Sequence, residues 1–159
     1  MLVHVDAYDW DTALHEAAHA EVGIRLGRTL VSMTLAPPMT RLASGSQASA
    51  SRRRPMAIFA AGNLAEQIHN GRPTADAFEA SLTMFFDQVG DFDIASVRAR
   101  SIAAGAAEDD VYDLACLIDS YSTRSRGWAQ FRHARSAAVR ILTEHWGAVQ
   151  ERARRALDP

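Results

Sequence analysis

The chain contains no lysine: its 17 basic residues other than histidine are all arginine, against 19 acidic residues, for a net charge of -2. A balance so close to neutral excludes the global attraction that strongly basic chains have for nucleic acid or acidic membrane surfaces. Neither is expected as a partner. Arginine without lysine, in an alanine-rich chain, points to GC-rich coding more than to a binding function. Cysteine is nearly absent too. Cys116 stands alone in the apolar stretch Leu114-Ala115-Cys116-Leu117-Ile118, so no internal disulfide can form, and it reads as a small buried hydrophobe. No apolar run approaches the roughly 20 residues that cross a bilayer, and the N-terminus lacks a basic segment followed by an apolar one. The expected compartment is the cytoplasm. The composition, 48% hydrophobic and 23% charged over 159 residues, is that of a globular protein large enough for one domain, residues 1–159, with its own core.

The pattern of apolar residues predicts a mainly α (α+β) fold. Residues 8–26 read as a first helix, with Asp9 or Asp11 available as its cap and Gly27 as its stop. Residues 30–35 alternate, with Val31, Met33 and Leu35 on one face, which predicts a strand closed by Pro37 and Pro38. Residues 41–51 are small and polar, a loop or a second strand. Pro55 suits the first turn of a helix that reaches His69 and stops at Asn70-Gly71. Helical stretches follow around Phe78, Leu82 and Phe85, over 91–104, and over 108–121 with an acidic first turn that suits the helix dipole. A last helix carries Trp128, Phe131, Ala138, Ile141, Leu142, Trp146 and Val149 as one apolar face of core or subunit interface.

Within the first helix lies His15-Glu16-Ala17-Ala18-His19. Residues four apart on a helix share a face, one turn above the other. Two imidazoles so placed can reach one tetrahedral zinc ion, with Glu16 beside the metal-bound water. Zinc lowers the pKa of that water towards about 7, and a carboxylate can then take its proton as it attacks a carbonyl. A catalytic zinc also needs a third protein ligand. The position six residues after His19, where a metzincin has its third histidine, is Arg25. Glu66, Asp87, Asp91, Asp93 and His69 remain as candidates, and spacing alone does not choose among them. Asp109 and Asp110 with Glu108 read as helix-start charges, Arg52-Arg53-Arg54 as a solvated turn, and His4, His133 and His145 as surface or packing residues. The strand over 30–35 is a candidate cleft edge for an extended peptide.

The stretch from Ala13 to Gly23, followed by Val31-Ser32-Met33-Thr34-Leu35-Ala36-Pro37, resembles the opening of the peptidase domain of the FtsH family of ATP-dependent zinc metalloproteases. Residues 60–67 are similar to that family's Gly-Arg-Ala-Ala-Glu-Glu helix, and residues 141–146 to its closing helix. Gly90-Asp91-Phe92-Asp93-Ile94-Ala95-Ser96 resembles the Asn-Asp-Leu-x-x-Ala-Thr segment, whose aspartate is the third zinc ligand. The resemblance puts that ligand at Asp91, since Ala95 falls four residues on. Ala18 replaces a family glycine, the connection from Glu66 to Asp91 is long, and residues 85–89 replace the small, Gly-rich run before the aspartate.

The resemblance implies a zincin-like helical metallopeptidase domain with one small β element after the motif helix. Its zinc would sit on His15, His19 and Asp91, with Glu16 as general base. Neither the family's ATPase module nor its membrane anchor is expected within these 159 residues. Substrates would therefore be peptides or unfolded or flexible polypeptides, unless a separate ATPase or adaptor partner opens folded ones. The oligomeric state stays open. The competing expectation is a zinc-binding regulatory or protein-interaction module with little or no turnover.

Overall fold

The computed structural model describes residues 7–43, 52–90, 93–105 and 109–158. Helix α1 (Ala7–Arg25) opens with Asp9 in its first turn and closes with Arg25 in its last, charges that suit the helix dipole. Gly27, at a φ of +87°, turns the chain out of the helix. Strands β1 (Thr29–Leu35) and β2 (Pro38–Ala43) form an antiparallel hairpin through Ala36 and Pro37, so Pro38 opens a second strand that takes in residues 41–43 of the segment 41–51, whose remainder lies outside the described residues. The alternation expected from the sequence fails at Val31. Pairing steps from Leu30↔Leu42 to Ser32↔Arg41 and leaves Val31 in a bulge, 64% exposed, while Met33 and Leu35 pack against the core. The hairpin lies on α1 because Gly23 has no side chain: a Cβ there would collide with the Leu42 side chain of β2.

The remaining elements are helical: α2 (Arg53–His69), α3 (Glu79–Val89), α4 (Ile94–Ala103), α5 (Asp110–Asp119), α6 (Arg124–Glu144) and α7 (Trp146–Leu157). Helices α1, α2 and α6 form the centre. Leu14, Ala17, Ala18 and Val22 meet Met56, Ala60 and Leu64 of α2, and Phe131, Ala138 and Leu142 of α6 join the same cluster. Alanine at these contacts lets the helix axes approach closely. Helix α2 ends at Asn70-Gly71 as the sequence predicts, with Gly71 at a φ of +65°. Leu82, Phe85, Phe86 and Val89 of α3 close one end of the core.

The single long C-terminal helix expected from the sequence is two helices. His145 leaves helical geometry (φ −117°, ψ 25°), while its N–H still donates to the Ile141 carbonyl and its own carbonyl accepts from Val149. The break turns α7 back across α1, where Val149 and Ala153 are fully buried. Burial of that apolar face outweighs a straight continuation into solvent. The fold is mainly helical with one small antiparallel sheet, and no helix among the described residues is long and apolar enough to cross a membrane.

Candidate metal centre

His15 and His19 share one face of α1, with ring centroids 4.8 Å apart and planes at 72°. Glu16 and His19 are only 6% and 8% exposed in the middle of this helix, so their polar atoms need partners. His19 finds one on α2: its Nδ1 donates to the Ile58 carbonyl at 2.6 Å. That bond leaves Nε2 to point across the helix pair, 3.2 Å from Asp110 Oδ2. His15 is held in the same manner, with Nδ1 3.4 Å from Glu66 Oε1 and Nε2 3.1 Å from the same Asp110 oxygen. The His15 ring lies flat against the backbone of α2 at Gly62, where any Cβ would occupy the space of the ring itself.

Asp110 is the first residue of α5. Its neighbour Asp109 caps that helix by accepting from the Val111 N–H at 2.8 Å, which leaves the Asp110 carboxylate free to turn inward. The two imidazole nitrogens and the carboxylate oxygen lie within 4.8 Å of one another. Donors about 2.0–2.1 Å from a tetrahedral zinc are roughly 3.3 Å apart, close to the two separations from Asp110. Two imidazoles and a carboxylate are also the ligand types that such an ion takes. Each imidazole is also anchored through its far nitrogen by a carbonyl or a carboxylate, the usual arrangement behind metal-binding histidines.

Burial alone would push the His15 imidazole towards neutrality, but its hydrogen bonds to Asp110 and Glu66 prevail and raise its pKa to about 10. Burial likewise opposes the Asp110 charge, and the hydrogen bonds from His15 and His19 overcome it, holding the carboxyl well below the usual carboxylate range. The cluster therefore carries a proton on His15 that a metal ion must displace.

A cleft of about 630 Å³ opens beside these groups, walled by Met39, Leu42, Ile58 and Phe59 and carrying Glu16, Glu66, Asp110 and Asp113. No arginine lines it among the described residues. Its strand wall is β2, through Met39, Thr40 and Leu42, rather than β1, the strand that the sequence offered as cleft edge. Thr40 donates from its hydroxyl to Glu16 Oε2 at 2.5 Å.

The sequence motif thus comes together as expected, and among the described residues the group that joins it is Asp110. Asp91 lies outside the described residues. Asp93 caps α4, accepting from the Ala95 N–H and the Ser96 hydroxyl. Glu66 stands behind His15, Asp87 is exposed on α3, and His69 faces Asp11 at 4.0 Å instead of the cluster. Glu108 lies outside the described residues. Asp109 and Asp110 do stand at the start of α5, Asp109 as its cap and Asp110 in its acidic first turn, but Asp110 also turns its carboxylate to His15 and His19. A signal for it was present. Gly105 with Ala103, Ala104, Ala106 and Ala107 forms a small-residue run separated from Asp109 and Asp110 by Glu108 alone, the kind of run that the FtsH resemblance expects before its ligand aspartate. Comparison with models of protein families, with curated proteins and with solved structures finds no match to this chain.

Proposed function

We propose that the chain is a zinc-dependent metallopeptidase of zincin type, with His15, His19 and Asp110 holding the ion and Glu16 as general base. The observation that carries this reading is the convergence of His15 Nε2, His19 Nε2 and Asp110 Oδ2 at the floor of a cleft that Glu16 also lines. Bound zinc supplies Lewis-acid chemistry there, polarising a carbonyl and making water acidic enough to be deprotonated near neutral pH. The chain's own residues do the rest. The Ile58 carbonyl and Glu66 orient the two imidazoles through their Nδ1 atoms. The Glu16 carboxylate takes the proton of the attacking water and returns it to the departing amine. The apolar walls hold the substrate backbone and exclude bulk water from the reacting atoms.

The small-residue run before Asp110 supports giving it, and not Asp91, the role that the FtsH resemblance assigns to an aspartate. Substrates in this reading are peptides or unfolded or flexible segments that fit the cleft, and a separate ATPase or adaptor would be needed for folded ones. Zinc-loaded protein should cleave an unstructured polypeptide such as casein. Glu16→Gln should lower that rate by about 10²–10⁴-fold, the range for loss of a general base, with zinc content unchanged. Equal cleavage by the variant contradicts the role of Glu16. A zinc-loaded wild type that cleaves nothing would make the chain a zinc-binding module instead.

A further inference from the structure

We infer that Thr40 is a positioning residue for Glu16, and that strand β2 thereby sets the aim of the general base as well as walling the cleft. This rests on the metallopeptidase reading. Thr40 lies 24 residues from Glu16 in sequence, on a different element, yet its hydroxyl meets Glu16 twice: Oγ1 is 2.5 Å from Oε2 and 3.1 Å from the main-chain carbonyl of the same residue. A hydroxyl has one proton to give. The shorter contact, to a charged acceptor, is the stronger, so the proton goes to the carboxylate.

A glutamate side chain has three rotatable bonds, and the two oxygens of its carboxylate are equivalent until something distinguishes them. Donation to Oε2 distinguishes them. It selects one rotamer and commits one oxygen to Thr40, which leaves Oε1 as the oxygen for the proton of the attacking water. Glu16 is nearly buried, so water cannot substitute freely for the lost donor. Neither histidine depends on this bond, since each is anchored to α2 and α5. Thr40 also lines the cleft. A peptide lying along β2 would therefore press on the strand that holds the base, linking occupancy of the cleft to the orientation of Glu16.

Thr40→Val keeps the shape of the side chain and removes the hydroxyl, while Thr40→Ser keeps the hydroxyl. In the zinc-loaded full chain with casein as substrate, Thr40→Val should lower kcat by about 10–100-fold, as loss of a supporting hydrogen bond does. KM and zinc content should stay near wild type, and Thr40→Ser should recover most of kcat. In metal-free protein, the infrared carboxylate band identified as Glu16 by its loss in Glu16→Gln should shift in Thr40→Val and not in Thr40→Ser. A kcat within twofold of wild type in Thr40→Val, or an unmoved Glu16 band, overturns the assignment of Thr40 alone. A zinc-loaded wild type without cleavage overturns the metallopeptidase reading and Thr40's role in it together, even where the band shifts.

Discussion

Helix α1 buries charge at two places, and the two are solved in opposite ways. Near its C-terminal end Glu21, only 2% exposed, lies between two guanidinium groups, Arg25 at 2.9 Å and Arg152 of α7 at 3.2 Å. Arginine is charged at any ordinary pH and presents fixed donors, so this carboxylate is neutralised permanently. One to two turns earlier, the partners of Asp110 among the described residues are the imidazoles of His15 and His19, with Glu66 adding a further acidic group behind. Imidazoles give up their protons and accept a metal ion at the same nitrogens. The first site can only hold α7 to α1. The second has the donor chemistry to exchange a proton for a divalent cation, and its groups line the cleft that Glu16 shares.

That contrast can be broken most severely at Gly62. Alanine is the better helix former by about 1 kcal/mol, yet its Cβ would take the place of the His15 ring. Gly62→Ala should weaken zinc binding by about 100-fold with helix content retained, as read by metal titration and circular dichroism. The Glu21 site should respond in the reverse manner. Glu21→Gln should leave zinc affinity unchanged and lower the stability of the apoprotein by about 1–2 kcal/mol in urea unfolding. Loss of one partner from a buried pair would cost more, but both arginines are partly exposed and can turn to water.

The pH dependence sharpens the comparison with a smaller effect. The raised pKa of His15 contributes stability that is complete below about 6.5, its unfolded value, and is lost as pH rises through about 10. The depressed pKa of Asp110 contributes stability present above the ordinary carboxylate pKa and lost as pH falls through its lowered folded value. Metal-free protein should therefore lose melting temperature between pH 6.5 and 10, and Asp110→Asn should flatten that slope. Zinc affinity should rise over the same range as the His15 proton becomes easier to displace. An identical slope in the variant would show that the coupling lies elsewhere.

The local half of the site was legible in the sequence, because His15, Glu16 and His19 share one helix and the 3.6-residue period places them. The strand after it was legible in position but not in facing, since a bulge at Val31 is set by pairing with β2 and leaves no mark in a single strand's alternation. The long-range half was not legible. Asp110 stands 91 residues from His19, and its side chain differs from that of Asp109 only in which one caps α5. The break at His145 likewise depends on where α7 can bury Val149 and Ala153. Glu66 was one of several candidate third ligands in the sequence, and that it stands behind His15 instead depends on an interhelix distance.

The most direct test of the centre is the zinc content, by mass spectrometry after exhaustive dialysis, of wild type, Asp110→Ala and Asp91→Ala. One equivalent in wild type and in Asp91→Ala, with little in Asp110→Ala, is the result expected of a His15–His19–Asp110 site. One equivalent retained in Asp110→Ala, or none in the wild type, would contradict it.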